Sequence, residues 1–176
     1  MASTQLKVFA SIFLLSLAHA LTSANEQVPA KSVEKYVDVV VEGVVYCQSC
    51  ERYGTWSLSG AKPISNSTIS VICKDYKKRV SFYKAFQTGV NGYFYAELKG
   101  FEIGHSLFDH PLQSCRVILV SSHQENCNIL TNVNNGLMGA PLRYEDKRLI
   151  GSHYEAVVYA AGPLAFRPAH CIPKTN

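Results

Sequence analysis

Apolar and polar residues alternate with a period of two along most of this chain. In YVDVVVEGVVYC, residues 36 to 47, the odd positions Val37, Val39, Val41, Gly43, Val45 and Cys47 are apolar or small, while Asp38 and Glu42 stand between them. Successive side chains of an extended strand point to opposite faces, so this run predicts a strand with one buried and one mostly wet face, Cys47 on the buried side. Similar runs recur in TISVICKD (68–75), RVSFYKAFQT (79–88), GYFYAEL (92–98), CRVILVSS (115–122), APLRYE (140–145) and YEAVVYA (154–160). The segments KDYKK, GVNG, VNNGLMG and EDKRLIGS between them are turn chemistry. No segment holds a 3.6-residue period over three turns. About seven short strands without intervening helices predict an all-β domain, an antiparallel sandwich or a small closed barrel.

The start of the chain breaks this pattern. Lys7 precedes an apolar run from Val8 to Leu17 and the small-residue pattern Ala18-His19-Ala20. That is the layout of a secretory signal peptide, cleaved after Ala20 or after Ala24. The expected organisation is a signal peptide over 1–24, a short polar lead-in over 25–35 and one β domain over 36–173. No later run is long enough for a membrane helix and no terminal retention signal follows, which predicts secretion without membrane insertion. The net charge of +4 over the whole chain is small and spread out, and argues against a nucleic-acid partner.

Secretion changes the meaning of C-x-x-C at Cys47 and Cys50. The chain has six cysteines, at 47, 50, 73, 115, 127 and 171, an even number bound for an oxidising compartment. A redox dithiol needs a strand-to-helix turn, and no helical period follows Cys50. A zinc site needs a second pair of ligands at suitable spacing, and none is present. In an extended chain the two cysteines sit about 10 Å apart, beyond the roughly 7 Å limit for bonding to each other. They read as two staples to separate partners. Cys73 shares a face with Ile69 and Val71, and Cys115 with Val117 and Leu119, so both point into the core.

VEGVVYCQSC (41–50), GVNGYFYAEL (89–98), SCRVILVSS (114–122), CNILTNVNNGLMGAPLR (127–143) and YAAGPLAFRPAHC (159–171) together resemble the plant olive-pollen-allergen-like and extensin-like family. The likeness is greatest to the cysteine-rich PAC domain at the C-terminus of non-classical arabinogalactan proteins. The resemblance implies a disulfide-stapled β-barrel or sandwich in which Cys47 pairs with Cys127, Cys50 with Cys171 and Cys73 with Cys115. It implies an extracellular protein of the plant cell wall that binds pectic galactan or arabinogalactan side chains. Many members carry a long proline-rich or histidine-rich segment before the domain, and here about ten residues stand in that place, with Pro29 the lone proline among them. Only the domain's own properties are therefore carried over.

The candidate ligand contacts are aromatic and basic. On the strand at 92–98, Tyr93 and Tyr95 lie on the face opposite Phe94, Ala96 and Leu98; Tyr83 lies opposite Phe82 and Phe86. If these two strands form a hairpin through Gly89 to Gly92, the three tyrosines make an outward patch on which sugar C–H faces could stack, or cross-strand pairs on a solvated sheet. Trp56, the only tryptophan, is a second sugar platform or a plug for the sheet end. The KDYKKR turn (74–79), with Lys77, Lys78 and Arg79, carries a net +3 and could attract acidic pectin, or be an ordinary solvated turn. Asn66-Ser67-Thr68 is a glycosylation sequon in a loop. The histidines at 105, 110, 123, 153 and 170 lack ligand spacing, so neither metal nor cofactor is expected. No nucleophile elbow, zinc-protease motif or carboxylate pair in suggestive context marks an enzyme; Asp109, Glu125 and Asp146 fall on separate loops. The runner-up reading is a small extracellular protein ligand for a receptor ectodomain in pollen, root or seed development.

Overall fold

The structure, a computed structural model, describes residues 37–101, 110–152 and 154–171. The expected signal peptide and lead-in lie outside the described residues, as do His105, Asp109 and His153. Among the described residues nine strands form one sheet: β1 (Val37–Cys47), β2 (Lys62–Pro63), β3 (Thr68–Lys74), β4 (Val80–Gln87), β5 (Tyr93–Glu97), β6 (Cys115–Ser121), β7 (Ile129–Leu130), β8 (Ala140–Ile150) and β9 (Glu155–Arg167). One helical turn, α1 (Pro111–Ser114), precedes β6. The ladder runs β2-β1-β9-β8-β6-β3-β4, with β5 on β1 and β7 on β9. The all-β expectation holds, but the sheet is mixed and does not close into a barrel.

The mixed character comes from the two longest pairings. β1 and β9 run parallel, from Val37 beside Glu155 to Cys47 beside Phe166. Parallel neighbours need a long connection, and here the rest of the domain supplies it. β8 then pairs antiparallel with β9 and touches β6 only at Arg116–Pro141 and Val117–Ala140, which joins the two halves of the sheet. Both halves feed one core: Val39, Val41, Phe94, Ala96 and Leu164 from one side, Ile69, Val71, Cys73, Val117 and Leu119 from the other.

Three expectations are corrected by these pairings. EDKRLIGS is not a turn as a whole; β8 runs through Ile150, with Asp146 at φ 57° in a bulge between Tyr144 and Lys147. Glu145 and Asp146 are the two extra residues there, and the ladder resumes at Lys147, so the charged run continues as strand. The outer face of β1 is not uniformly wet, because Val40 is buried with Ala156 and Val158 under Leu149. β4 and β5 do not form a hairpin: β4 pairs β3, and β5 pairs β1. The chain does reverse tightly at 89–93, where Gly89 N–H donates to Tyr93 O. It then peels away to β1, because Gly92, at φ +72°, passes so close to Val45 O that a Cβ would lie 2.5 Å from it.

Three disulfides staple the fold. Cys73 and Cys115 are directly opposed on β3 and β6, fully buried, with Cα atoms 4.0 Å apart. Cys47 at the end of β1 is bonded to Cys127, and Cys50 to Cys171 beyond β9. Both of these lie at the end of the sheet where β1 gives way to the loop at 48–61.

Candidate functional site

That loop starts under tight control. Gln48 is 2 % exposed, and its side-chain amide donates to Thr55 O and Ser57 O, both at 2.9 Å. These are the carbonyls on either side of Trp56. Gln48 N–H also donates to Phe166 O at 2.8 Å, which ties the loop to β9. A short 3-10 turn, Cys50–Arg52, capped by Ser49, follows, and Thr55 Oγ1 donates to Arg52 O at 2.8 Å. The backbone under Trp56 is thus fixed by one buried amide, one hydroxyl and the two neighbouring disulfides.

Two large aromatic rings are held outward by this frame. Tyr53 is 58 % and Trp56 60 % exposed. They flank a depression of about 290 Å³ whose other wall is Leu130, Thr131, Asn132, Val133 and Arg167. The Arg167 guanidinium lies 4.4 Å from the Tyr53 ring centroid, a cation–π contact that steadies the ring. Thr131 Oγ1 donates to Ala165 O at 2.6 Å, anchoring the far wall to β9. Exposed aromatic faces beside fixed amide, hydroxyl and guanidinium groups offer a sugar ring what it needs, apolar contact below and planar hydrogen-bonding partners at the edge.

The other tyrosines are distributed differently. Tyr93 is half-buried and its hydroxyl donates to Glu42 Oε2 at 2.6 Å, while Lys147 Nζ lies 2.9 Å from the same oxygen. Burial pushes the Glu42 carboxyl up, but the hydrogen bonds from Tyr93 and Lys147 and the Lys147 charge outweigh it and hold its pKa below the ordinary value. Tyr95, beside Glu42 across the β1–β5 ladder, has its pKa pushed up to about 12, first by burial and then by its hydrogen bond with Tyr154. Tyr83 stands on β4 opposite Ile72, on a strand that does not pair with β5. The structure therefore brings Tyr93 and Tyr95 together, in a network with Glu42, and leaves Tyr83 out of it.

Of the basic turn, Arg79 is occupied: its Nε donates to Asp75 Oδ2 at 2.8 Å, and Asp75 Oδ1 accepts from the N–H groups of Lys77 and Arg79. This turn is an Asx turn closed by Lys78 in the left-handed region, φ 63°. The Lys77 ammonium lies 5.3 Å from the Tyr76 ring centroid. Asn66 is exposed in the loop before β3, with its carbonyl oxygen 2.8 Å from His123 Nδ1. His110 caps α1, its Nδ1 accepting from Leu112 N–H. Among the described residues no three His, Cys, Asp or Glu side chains gather as metal ligands, and no helix is long and apolar enough to cross a membrane.

Tyr53, Gln48, Asn132 and Arg167 were not singled out by the sequence pattern. Tyr53 and Trp56 share a polar loop without periodicity, and Arg167 reaches them through long-range partners, the pairing of Cys47 with Phe166 and the bond of Cys50 to Cys171, four residues past it.

No protein-family model matches the sequence. The chain is 31 % identical over 134 residues to non-classical arabinogalactan protein 30 of Arabidopsis thaliana, an alignment covering 74 % of this chain and 53 % of that protein. It is 31 % identical over 104 residues to the pistil-specific extensin-like protein of Nicotiana tabacum, covering 59 % of this chain and 22 % of that one. The chain thus spans about half the length of the first relative and about a fifth of the second. Among solved structures, the major plantain pollen allergen Pla l 1 superposes with a TM-score of 0.53 at 19 % identity, over 79 % of this chain and 100 % of that one.

Proposed function

We propose, from the premise that this domain has an olive-pollen-allergen-like fold and is homologous to plant arabinogalactan and extensin-like proteins, that the chain is a secreted protein of the plant cell wall. It binds matrix polysaccharide, the neutral galactan or arabinogalactan side chains of pectin and proteoglycans, and does not cleave it. The observation that carries this reading is the pair Tyr53 and Trp56, more than half exposed on a loop made rigid by Gln48 and two disulfides. Exposed aromatic rings gathered around one depression mark a binding surface in a way that scattered ones do not. A sugar's C–H face is a partner of matching size, and Asn132, Thr131 and Arg167 line the same depression as polar groups for its hydroxyls.

The test is retention of the folded, oxidised chain on a galactan affinity gel. Trp56→Ala is expected to weaken binding about ten-fold, with Tyr53→Ala close behind, while the melting temperature moves by no more than about 2 °C because both rings are exposed. Tyr83→Ala, on the far strand, should bind as the native chain does. Unchanged retention by Trp56→Ala would remove the platform from the reading.

A further inference from the structure

A second concave surface lies on the outer face of β3 and β6. It is a groove of about 720 Å³ that shares no residue with the Tyr53–Trp56 depression. Ile72 and Ile118 form its floor, on the face opposite the buried Cys73 and Cys115. Lys74, Tyr76 and Lys78 line one side, and Arg116 stands on the other with Met138. Tyr76 is 60 % and Met138 80 % exposed.

The charge balance in this groove is one-sided. Among the described residues neither Lys74 nor Lys78 has a carboxylate within ion-pair distance. Arg116 directs its Nη1 at the carbonyl oxygens of Leu112, Gln113 and Cys115, at 3.3, 3.3 and 2.6 Å. Those acceptors fix the guanidinium without cancelling its charge. Asp75, the acid in the lining, is already spent on Arg79 and on the turn's own N–H groups. Three cations are therefore gathered over an apolar floor, an arrangement that repels itself until an anion arrives.

We propose that this groove binds an acidic polysaccharide, a chain of uronic acid residues. Sugar carboxylates are met by Lys74, Lys78 and the planar fork of Arg116, and ring faces lie on Tyr76 and the two isoleucines. The combination is specific to a charged sugar polymer: a bare anion has no use for the apolar floor, and a neutral glycan has none for the cations. The site keeps Lys74, Tyr76 and Lys78 of the basic turn read from sequence and adds Arg116 and the isoleucine floor, while Arg79 is neutralised and Lys77 lies outside the groove. The proposal rests on the wall reading only for the ligand's availability.

Binding of the oxidised chain to de-esterified polygalacturonan, to fully methyl-esterified polygalacturonan and to neutral galactan, each at low and moderate salt, tests it. The native chain is expected to prefer the de-esterified polymer and to lose it as salt rises. Lys74→Gln with Lys78→Gln should weaken that binding about ten-fold, while Lys62→Gln with Lys99→Gln, equal in charge but elsewhere, changes it by less than about two-fold. Arg116→Gln should follow the first pair. Equal losses in both double variants, equal affinity for the esterified polymer, or no binding to the acid polymer would each overturn the groove. Galactan retention with its Trp56 dependence is read in the same experiment, so failure here is distinguishable from failure of the wall-binding reading.

Discussion

Glu42 sits with its carboxylate between Tyr93 and Lys147, 16 % exposed on its side chain, and is held charged by them. Its folded pKa lies below its ordinary 4.5, so the pairing contributes stability above that pH and loses it as pH falls through the lower folded value. Urea midpoints should therefore fall below about pH 4.5, and Glu42→Gln should be less stable at neutral pH yet converge with the native chain in acid. Parallel pH profiles for the two would remove Glu42 from the acid response. The alternation of β1 made Glu42 outward in the sequence, and outward it is. Its partner Lys147 was hidden, because the bulge at Asp146 shifts the register by which β8 meets its neighbour. The same holds for the platform: Trp56 stood out as the lone tryptophan, while Gln48, which fixes the carbonyls around it, is an ordinary amide until the loop folds back.

At the scale of elements, β1 illustrates how far period two reaches. The inward positions Val39, Val41 and Val45 are core, and Gly43 belongs with them for a reason the pattern does not contain. The Phe94 ring of β5 and the Ala161 carbonyl of β9 close over it, so that a Cβ would meet them at 2.6 and 2.3 Å. Gly43→Ala is expected to cost about 3 kcal/mol in chemical unfolding, since backbone and ring must both give way. A loss under about 1 kcal/mol would mean that β5 is free to lift off. Period two also located β3 to β6, yet the two-residue strands β2 and β7 are too short to carry a period, and strand order is not encoded in alternation at all. The hairpin expected of β4 and β5 failed on that point. β4 instead ends the sheet, and Lys84, opposite Val71 and 5.4 Å from the Phe86 ring centroid, places a charge along that open edge, a device that discourages further strands from adding.

For the whole molecule, the disulfides set the durability of the fold. The buried Cys73–Cys115 bond joins residues 42 apart in sequence, and chain-entropy reasoning gives its closure about 4 kcal/mol. Cys73→Ala with Cys115→Ala should lower the unfolding free energy by about that amount, and an unchanged urea midpoint would show that the bond constrains the unfolded chain very little. Strand phase made both of these cysteines inward and suited to facing strands; the phase of Cys50 and Cys171, in irregular segments, says nothing comparable. The parallel union of β1 with β9 has a different bearing. Val37 lies beside Glu155, so the first strand to leave the ribosome finds its main neighbour only when nearly the whole domain has been made. Until then its valines have β5 alone to cover them on one edge. Such long-range pairing slows folding and leaves an apolar strand waiting. The sheet is thus completed late, and the last strand acts as its latch.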